Sequence, residues 1–196
     1  MSTSDVTLLL ALLSVVAEAS VLVAAVVGVG SRRSPALRRA KVALVEAVGP
    51  GALQLALGVA LIATVGSLYF SEVADFVPCR LCWYQRIAMY PLVPVLAVAV
   101  WRRDAAARFY AFPLALIGGT ISTYHVVLER YPSLESGICE VANPCTLIWV
   151  RRFGYLTIPA MALSAFAFVA VLLAVTGSWS RSAAADEPLV TPSKEA

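Results

Sequence analysis

Apolar residues in this chain come in long unbroken runs, with the polar residues gathered between them. Val6–Val29 is the first run, and it has about the length needed to cross a bilayer as a helix. Ser31–Lys41 follows, carrying Arg32, Arg33, Arg38, Arg39 and Lys41, and then a short apolar piece, Val42–Val48, cut off by Gly49-Pro50-Gly51. Ala52–Phe70 is a second, uncharged run. A third extends from Trp83 to Trp101, with Arg86 one turn inside and Pro91 and Pro94 expected to bend it. A fourth covers Tyr110–Leu128, where Gly118, Gly119 and Ser122 make a small-residue face, and a fifth covers Tyr155–Val175. The pattern predicts an all-α membrane protein with five spans: a first helix and basic loop over 1–51, four helices over 52–177, and a Ser/Ala/Pro-rich tail, 178–196, expected to be disordered.

The first run is read as a retained span. It is longer than the apolar part of a secretory leader, and Met1–Thr7 holds Asp5 and no Lys or Arg. Ala24 and Gly28 offer a face for close helix contact. Glu18 near the middle is costly in a membrane; it is either functional or protonated and bonded to a neighbouring helix.

Composition agrees: 60% of residues are hydrophobic, 14% are charged, and the mean hydropathy is +0.83, which excludes an ordinary soluble domain. The net charge of +3 is small, and the basic cluster at 32–41 is short and lies between two spans, so nothing points to nucleic acid. The distribution of charge says more. The segments 32–41 and 102–108 and the tail hold most of the 15 Lys and Arg, and an odd number of spans puts the termini on opposite sides. The positive-inside rule then predicts that the N-terminus, all four cysteines and His125 are extracytoplasmic.

The cysteines form two local pairs, Cys79/Cys82 and Cys139/Cys145. Both are expected to face a compartment where disulfides persist. Cys-x-x-Cys spacing brings two sulfurs together within one helical turn and sets the first at a helix N-terminus, where unpaired N–H groups and the dipole favour thiolate. Arg86, four residues beyond Cys82, would lie one turn further in and stabilise a thiolate or the anionic form of an electron acceptor. Two structural disulfides would account for Cys139/Cys145 but poorly for Cys79/Cys82, whose ring is too small to gain much entropic stabilisation. A four-thiolate zinc site is a second reading, disfavoured by the wider second spacing and the oxidising compartment. Haem attachment is excluded, because Trp83 stands where Cys-x-x-Cys-His needs its histidine. The third reading is an electron relay, in which one pair takes electrons from a soluble dithiol and the other passes them to a membrane acceptor.

The stretch Pro78-Cys79-Arg80-Leu81-Cys82-Trp83-Tyr84-Gln85-Arg86 closely resembles the signature of the DsbB/BdbC family of disulfide-forming membrane oxidases. The resemblance continues through Ile87–Leu92, Tyr124-His125, Pro144-Cys145-Thr146 and Phe153–Pro159, covering roughly 52–177. The short Cys139–Cys145 spacing is similar to the BdbC branch. The resemblance implies a four-helix bundle with a quinone (menaquinone or ubiquinone) beside Cys79/Cys82, near the extracytoplasmic helix ends. It also implies a thioredoxin-fold (DsbA-like) extracytoplasmic partner reoxidised by Cys139/Cys145, in a multi-pass protein of the bacterial cytoplasmic (inner) membrane that meets only lipid and quinone besides. Arg86 matches the family's quinone-side arginine, and His125 matches a position near the quinone. His125 could equally anchor a helix end, and Trp83, Tyr84 and Tyr90 could be an interfacial belt. Reductases of the vitamin K epoxide type share the ingredients, but there the loop pair precedes the Cys-x-x-Cys; here it follows, which favours the oxidase. An inert membrane protein with structural disulfides or a metal site is the non-enzymatic alternative. The span at 6–29 is the departure, since such proteins typically have four.

Overall fold

The structure is a computed structural model that describes residues 2–135, 137–140 and 142–185, without the side chains of 183–185. All five apolar runs are helical, and five helical paths are long and apolar enough to cross a membrane. Helix α1 spans Thr3–Gly30 and is started by a reciprocal cap: the Ser2 hydroxyl accepts the Asp5 N–H at 3.2 Å, and the Asp5 carboxylate accepts the Ser2 N–H at 2.9 Å. Helix α2 (Pro35–Val48) occupies most of what the sequence reads as a basic loop. Pro35 sits in its first turn, where a fixed φ helps and a missing N–H costs nothing, and the Ala, Leu, Arg and Lys that follow are good helix formers. Gly49-Pro50-Gly51 does not end the path; it forms a single 3-10 turn that hands α2 to α3 (Ala52–Glu72).

The third span is two helices, α4 (Arg80–Met89) and α5 (Leu92–Arg102), parted where Pro91 has no N–H to donate. Helix α6 is Arg108–Arg130. The fifth helix, α7, begins at Ile158, later than expected, because the residues before it make a small hairpin. Strand β1 (Arg151–Arg152) pairs antiparallel with β2 (Leu156–Thr157), in register Arg151 to Thr157 and Arg152 to Leu156. Phe153 (φ 50°) and Gly154 (φ 78°) turn the chain between them. Helix α7 runs on to Ala185, so residues 178–185 of the tail expected to be disordered are helical, and 186–196 lie outside the described residues.

The core is shared by α3, α4–α5, α6 and α7, with Leu92, Leu96, Phe166, Val169 and Leu173 almost wholly buried. Gly118 lets α6 and α7 close up, since a Cβ there would collide with the Phe166 ring. Helix α1 lies along α7 and α2, burying Thr7, Ala11, Ser14 and Ala17 at helical spacing and leaving Leu8, Leu9, Leu12, Val15, Leu22, Val23 and Val26 exposed. The close approach expected at Ala24 and Gly28 does not form there; a Cβ on Gly28 would meet nothing within 4 Å. The residues that α1 buries most completely, Thr7, Ala11, Ser14 and Ala17, lie toward its start, and at its end Gly30 meets Leu37 of α2.

Candidate active site

Helix α4 starts one residue after Cys79, which makes Cys79 its N-cap. The Cys79 sulfur accepts the Cys82 N–H at 3.4 Å and lies 3.1 Å from the Cys82 sulfur, within hydrogen-bonding reach. Both thiols are free. His125, from α6 and only 2% exposed, puts Nε2 3.0 Å from the Cys145 carbonyl and 3.7 Å from the Cys79 sulfur. A carbonyl only accepts, so Nε2 carries the proton, and Nδ1 is left to accept from the Gln85 amide at 3.4 Å. This surrounding brings the Cys79 thiol down from 9.0 to about 4. The hydrogen bond from Cys82 is the largest cause, burial opposes it, and His125 and the Cys82 amide add to it. Cys79 is therefore a thiolate at neutral pH, the form that reacts.

Cys139 and Cys145 are joined in a disulfide, with Cα atoms 5.8 Å apart. This bridge packs with Cys79, Leu81 and Leu128 in one buried cluster. The loop is held there by the Asn143 amide, which donates to the Pro78 carbonyl at 3.0 Å, and by an Arg80–Glu140 ion pair at 3.0 Å. With side chains 45% and 63% exposed, that pair contributes about 0–1 kcal/mol at most. A cleft of about 20 Å³, roughly one water molecule in size, adjoins Cys79, Cys82, His125 and Glu129.

On the other side of Cys82 lies an apolar cavity of about 240 Å³. Cys82, Gln85, Arg86 and Tyr90 form its polar end. Phe70, Phe76 and Trp149 form a ladder along it, with ring centroids 5.8 Å and 5.0 Å apart. The Arg86 guanidinium, 9% exposed, donates to the Ser67 hydroxyl at 3.0 Å and the Ser67 carbonyl at 2.9 Å, and stands 5.0 Å from the Trp83 ring centre. Tyr90 donates to the same hydroxyl at 3.2 Å. Among the described residues the only ion pair is Arg80–Glu140, so the Arg86 charge faces the cavity without a carboxylate.

The residues singled out from sequence thus assemble into one site of two halves. Cys79, Cys82 and His125 meet directly, the Cys139–Cys145 bridge abuts them, and Arg86 lines the cavity. His125 stands between the two cysteine pairs and not on the cavity wall. Gln85, Ser67, Glu129 and Asn143 belong to the site and were not singled out. Gln85 had a signal, being a polar side chain one turn from Cys82 in an apolar run; the others are joined only by the fold. The sulfurs of Cys79 and Cys82 and a His125 nitrogen lie within 4.8 Å of one another, a set of three soft donors. A four-thiolate zinc site, however, does not fit, because Cys139 and Cys145 are spent on their bridge.

The model of the family described as "Disulfide bond formation protein DsbB" matches residues 50–176. The chain belongs to the DsbB family. Members similar to it include "Disulfide bond formation protein C" of Bacillus subtilis, 46% identical over 117 residues, covering 59% of this chain and 84% of that protein. "Probable disulfide formation protein C 1" of Bacillus anthracis is 46% identical over 121 residues, covering 61% and 87%. "Probable disulfide formation protein" of Oceanobacillus iheyensis is 42% identical over 115 residues, covering 58% and 79%. No solved structure matches the chain. Membership of the DsbB family makes this a multi-pass membrane oxidoreductase of disulfide formation, working with a thiol–disulfide partner. Helices α1 and α2 lie outside the matched residues.

Proposed function

We propose that the protein reoxidises an extracytoplasmic, thioredoxin-fold (DsbA-like) dithiol protein and passes the electrons to a membrane quinone, menaquinone or ubiquinone. The observation that carries this reading is that the Cys-x-x-Cys bridges two surroundings: both sulfurs pack with the loop disulfide, and Cys82 alone of the two also lines the cavity. A partner thiolate attacks Cys139, the bridge to Cys145 breaks, and the partner's second thiol displaces Cys139, so the partner leaves as a disulfide and the loop pair holds two electrons. The Cys145 thiolate then attacks Cys79 in an oxidised Cys79–Cys82 pair, Cys82 leaves, and Cys139 displaces Cys79 to close the loop bridge again. A closed loop pair beside two free thiols corresponds to the stage after that transfer. The lowered pKa of Cys79 makes it a good leaving group in the last exchange.

The cavity fits a quinone head: it is apolar along its length and has one cation, Arg86, at the end where Cys82 opens. A quinone there would supply a sink for two electrons and two protons. Arg86, anchored on Ser67, would favour negative charge at Cys82 or at a ring oxygen, and the Phe70–Phe76–Trp149 ladder would hold the ring and keep water out.

Purified protein with a dithiol partner and added quinone tests the reading; dithiol loss that does not depend on quinone sinks it. The charge pattern supports a cytoplasmic-membrane orientation with the cysteines outside. Membrane-impermeant maleimide should label all four cysteines in reduced intact cells; labelling only after permeabilisation would invert the topology.

A further inference from the structure

We propose that α1, one of the two helices outside the family match, is a wall of the acceptor cavity, and that residues 10–17 help decide which quinone is accepted. This rests on the reading of the cavity as a quinone site. Leu10, Leu13, Ser14, Val16 and Ala17 line the cavity opposite Arg86's helix, beside α3 and α7. Leu13 and Val16 line the cavity while staying 41% and 62% exposed, so the cavity is open to the outside beside them.

The lining stretch is held at both ends by polar contacts to family-matched residues. At residues 4 and 7, Arg152 of β1 donates to the Ser4 hydroxyl (2.8 Å), the Ser4 carbonyl (2.9 Å) and the Thr7 hydroxyl (2.7 Å). At residue 18, the Glu18 carboxylate accepts Tyr155 at 2.7 Å and Ser164 at 2.8 Å. Between these clamps Leu10 seats on α3, where a Cβ on Gly66 would come within 2.9 Å of it. Such a fixed apolar surface has a definite shape, which lipid in its place would not. Ser14 and Ala17 are the small side chains of that surface, leaving room that bulk would take away. A ring with an isoprenoid tail suits the cavity, with the head at Cys82 and Arg86 and the tail leaving beside Leu13 and Val16.

The test uses the full-length protein in detergent or vesicles, with one-ring benzoquinones and two-ring naphthoquinones bearing short tails. Ser14→Phe and Ala17→Phe should each raise the apparent KM for quinone roughly tenfold, equivalent to about 1.4 kcal/mol, and more for two rings than for one. Single-turnover oxidation of a dithiol by the loop disulfide should keep its wild-type rate in both variants, which also certifies the fold. Leu22→Phe, on the exposed face beyond the cavity, should change nothing. An azidoquinone should photolabel the wild-type N-terminal fragment ending at Arg32. Unchanged KM in a loop-competent variant, or label confined to α3–α7, overturns the inference. Failure of the underlying reading looks different: wild type then shows no quinone-dependent turnover and no label anywhere, and both fall.

Discussion

The two cysteine pairs are close neighbours with opposite settings. Cys139 and Cys145 close a bridge within a loop, and their surroundings supply position: the Asn143 amide, an exposed ion pair and apolar packing. Cys79 and Cys82 stay open at a helix start, and their surroundings supply charge stabilisation: a thiol donor, a backbone N–H, His125 and, one turn on, Arg86. Short spacing alone therefore does not make a pair reactive. The groups that tolerate negative sulfur are built around one pair only, the pair toward which the proposed relay moves electrons.

The strongest way to break this contrast is to remove one sulfur from each pair. Cys79→Ser and Cys82→Ser should each lower steady-state turnover on the order of 10³-fold or more, while one equivalent of partner is still oxidised by the loop bridge. Given the oxidised partner, the Cys139 thiolate of Cys145→Ser should attack the partner disulfide, releasing the partner's second thiolate and leaving a mixed disulfide that no loop sulfur resolves, seen on non-reducing gels. Adducts found only on Cys79 or Cys82 would reverse the order of the relay.

Next in size is Arg86→Ala. Losing a buried, hydrogen-bonded cation should weaken apparent quinone affinity by roughly 10- to 100-fold, with loop exchange untouched. Lys should rescue only in part, since an ammonium lacks the fork that grips Ser67. Equal affinities in wild type and R86A would reduce Arg86 to a helix anchor.

A subtler difference is in acidity. Alkylation of Cys79 should stay fast down to a midpoint near pH 4. That midpoint should rise in both Cys82→Ala and His125→Ala, and further in the first, because the Cys82 hydrogen bond is the larger cause. Stability follows with a definite sign. Between about 4 and 9.0 the unfolded chain holds a proton that folded Cys79 has released, so the reduced protein gains stability as pH rises through that window and loses it as pH falls through 4. Thermal melts of reduced wild type and Cys79→Ser across that range should diverge accordingly; parallel curves would contradict the assignment of the thiolate. Smallest of all is Arg80→Ala, which should alter stability and partner exchange by no more than about 1 kcal/mol, measured by melting and by the rate of adduct formation.

Much of this architecture is legible in the chain because bilayers demand long apolar runs, and Cys-x-x-Cys before such a run announces a capped sulfur. The placement of Cys79, Cys82 and Arg86 follows from helix spacing alone. Local signals faded where structure is short or distant. The hairpin at 151–157 has too few residues for alternation to register, so the fifth helix is read as starting at Tyr155 and not at Ile158. Arginines at 38 and 39 read as a loop by their charge, although Pro35 opens a run of good helix formers there. Ser67 beneath Arg86, and Ser4 and Glu18 beside the hairpin and α7, are partners across large sequence separations that no periodicity encodes.

Cys79 holds two offices at once, and they cannot be exercised independently. As an anion it satisfies the Cys82 amide and sits at the positive end of α4; as part of a disulfide it is neutral and a poorer acceptor. In the proposed relay, each arrival of two electrons is expected to tighten the opening turn of α4, and each departure to let it fray. The Cys82 amide proton is then expected to serve as a clock for that relay, exchanging with solvent slowly while the pair is charged and quickly once it is emptied.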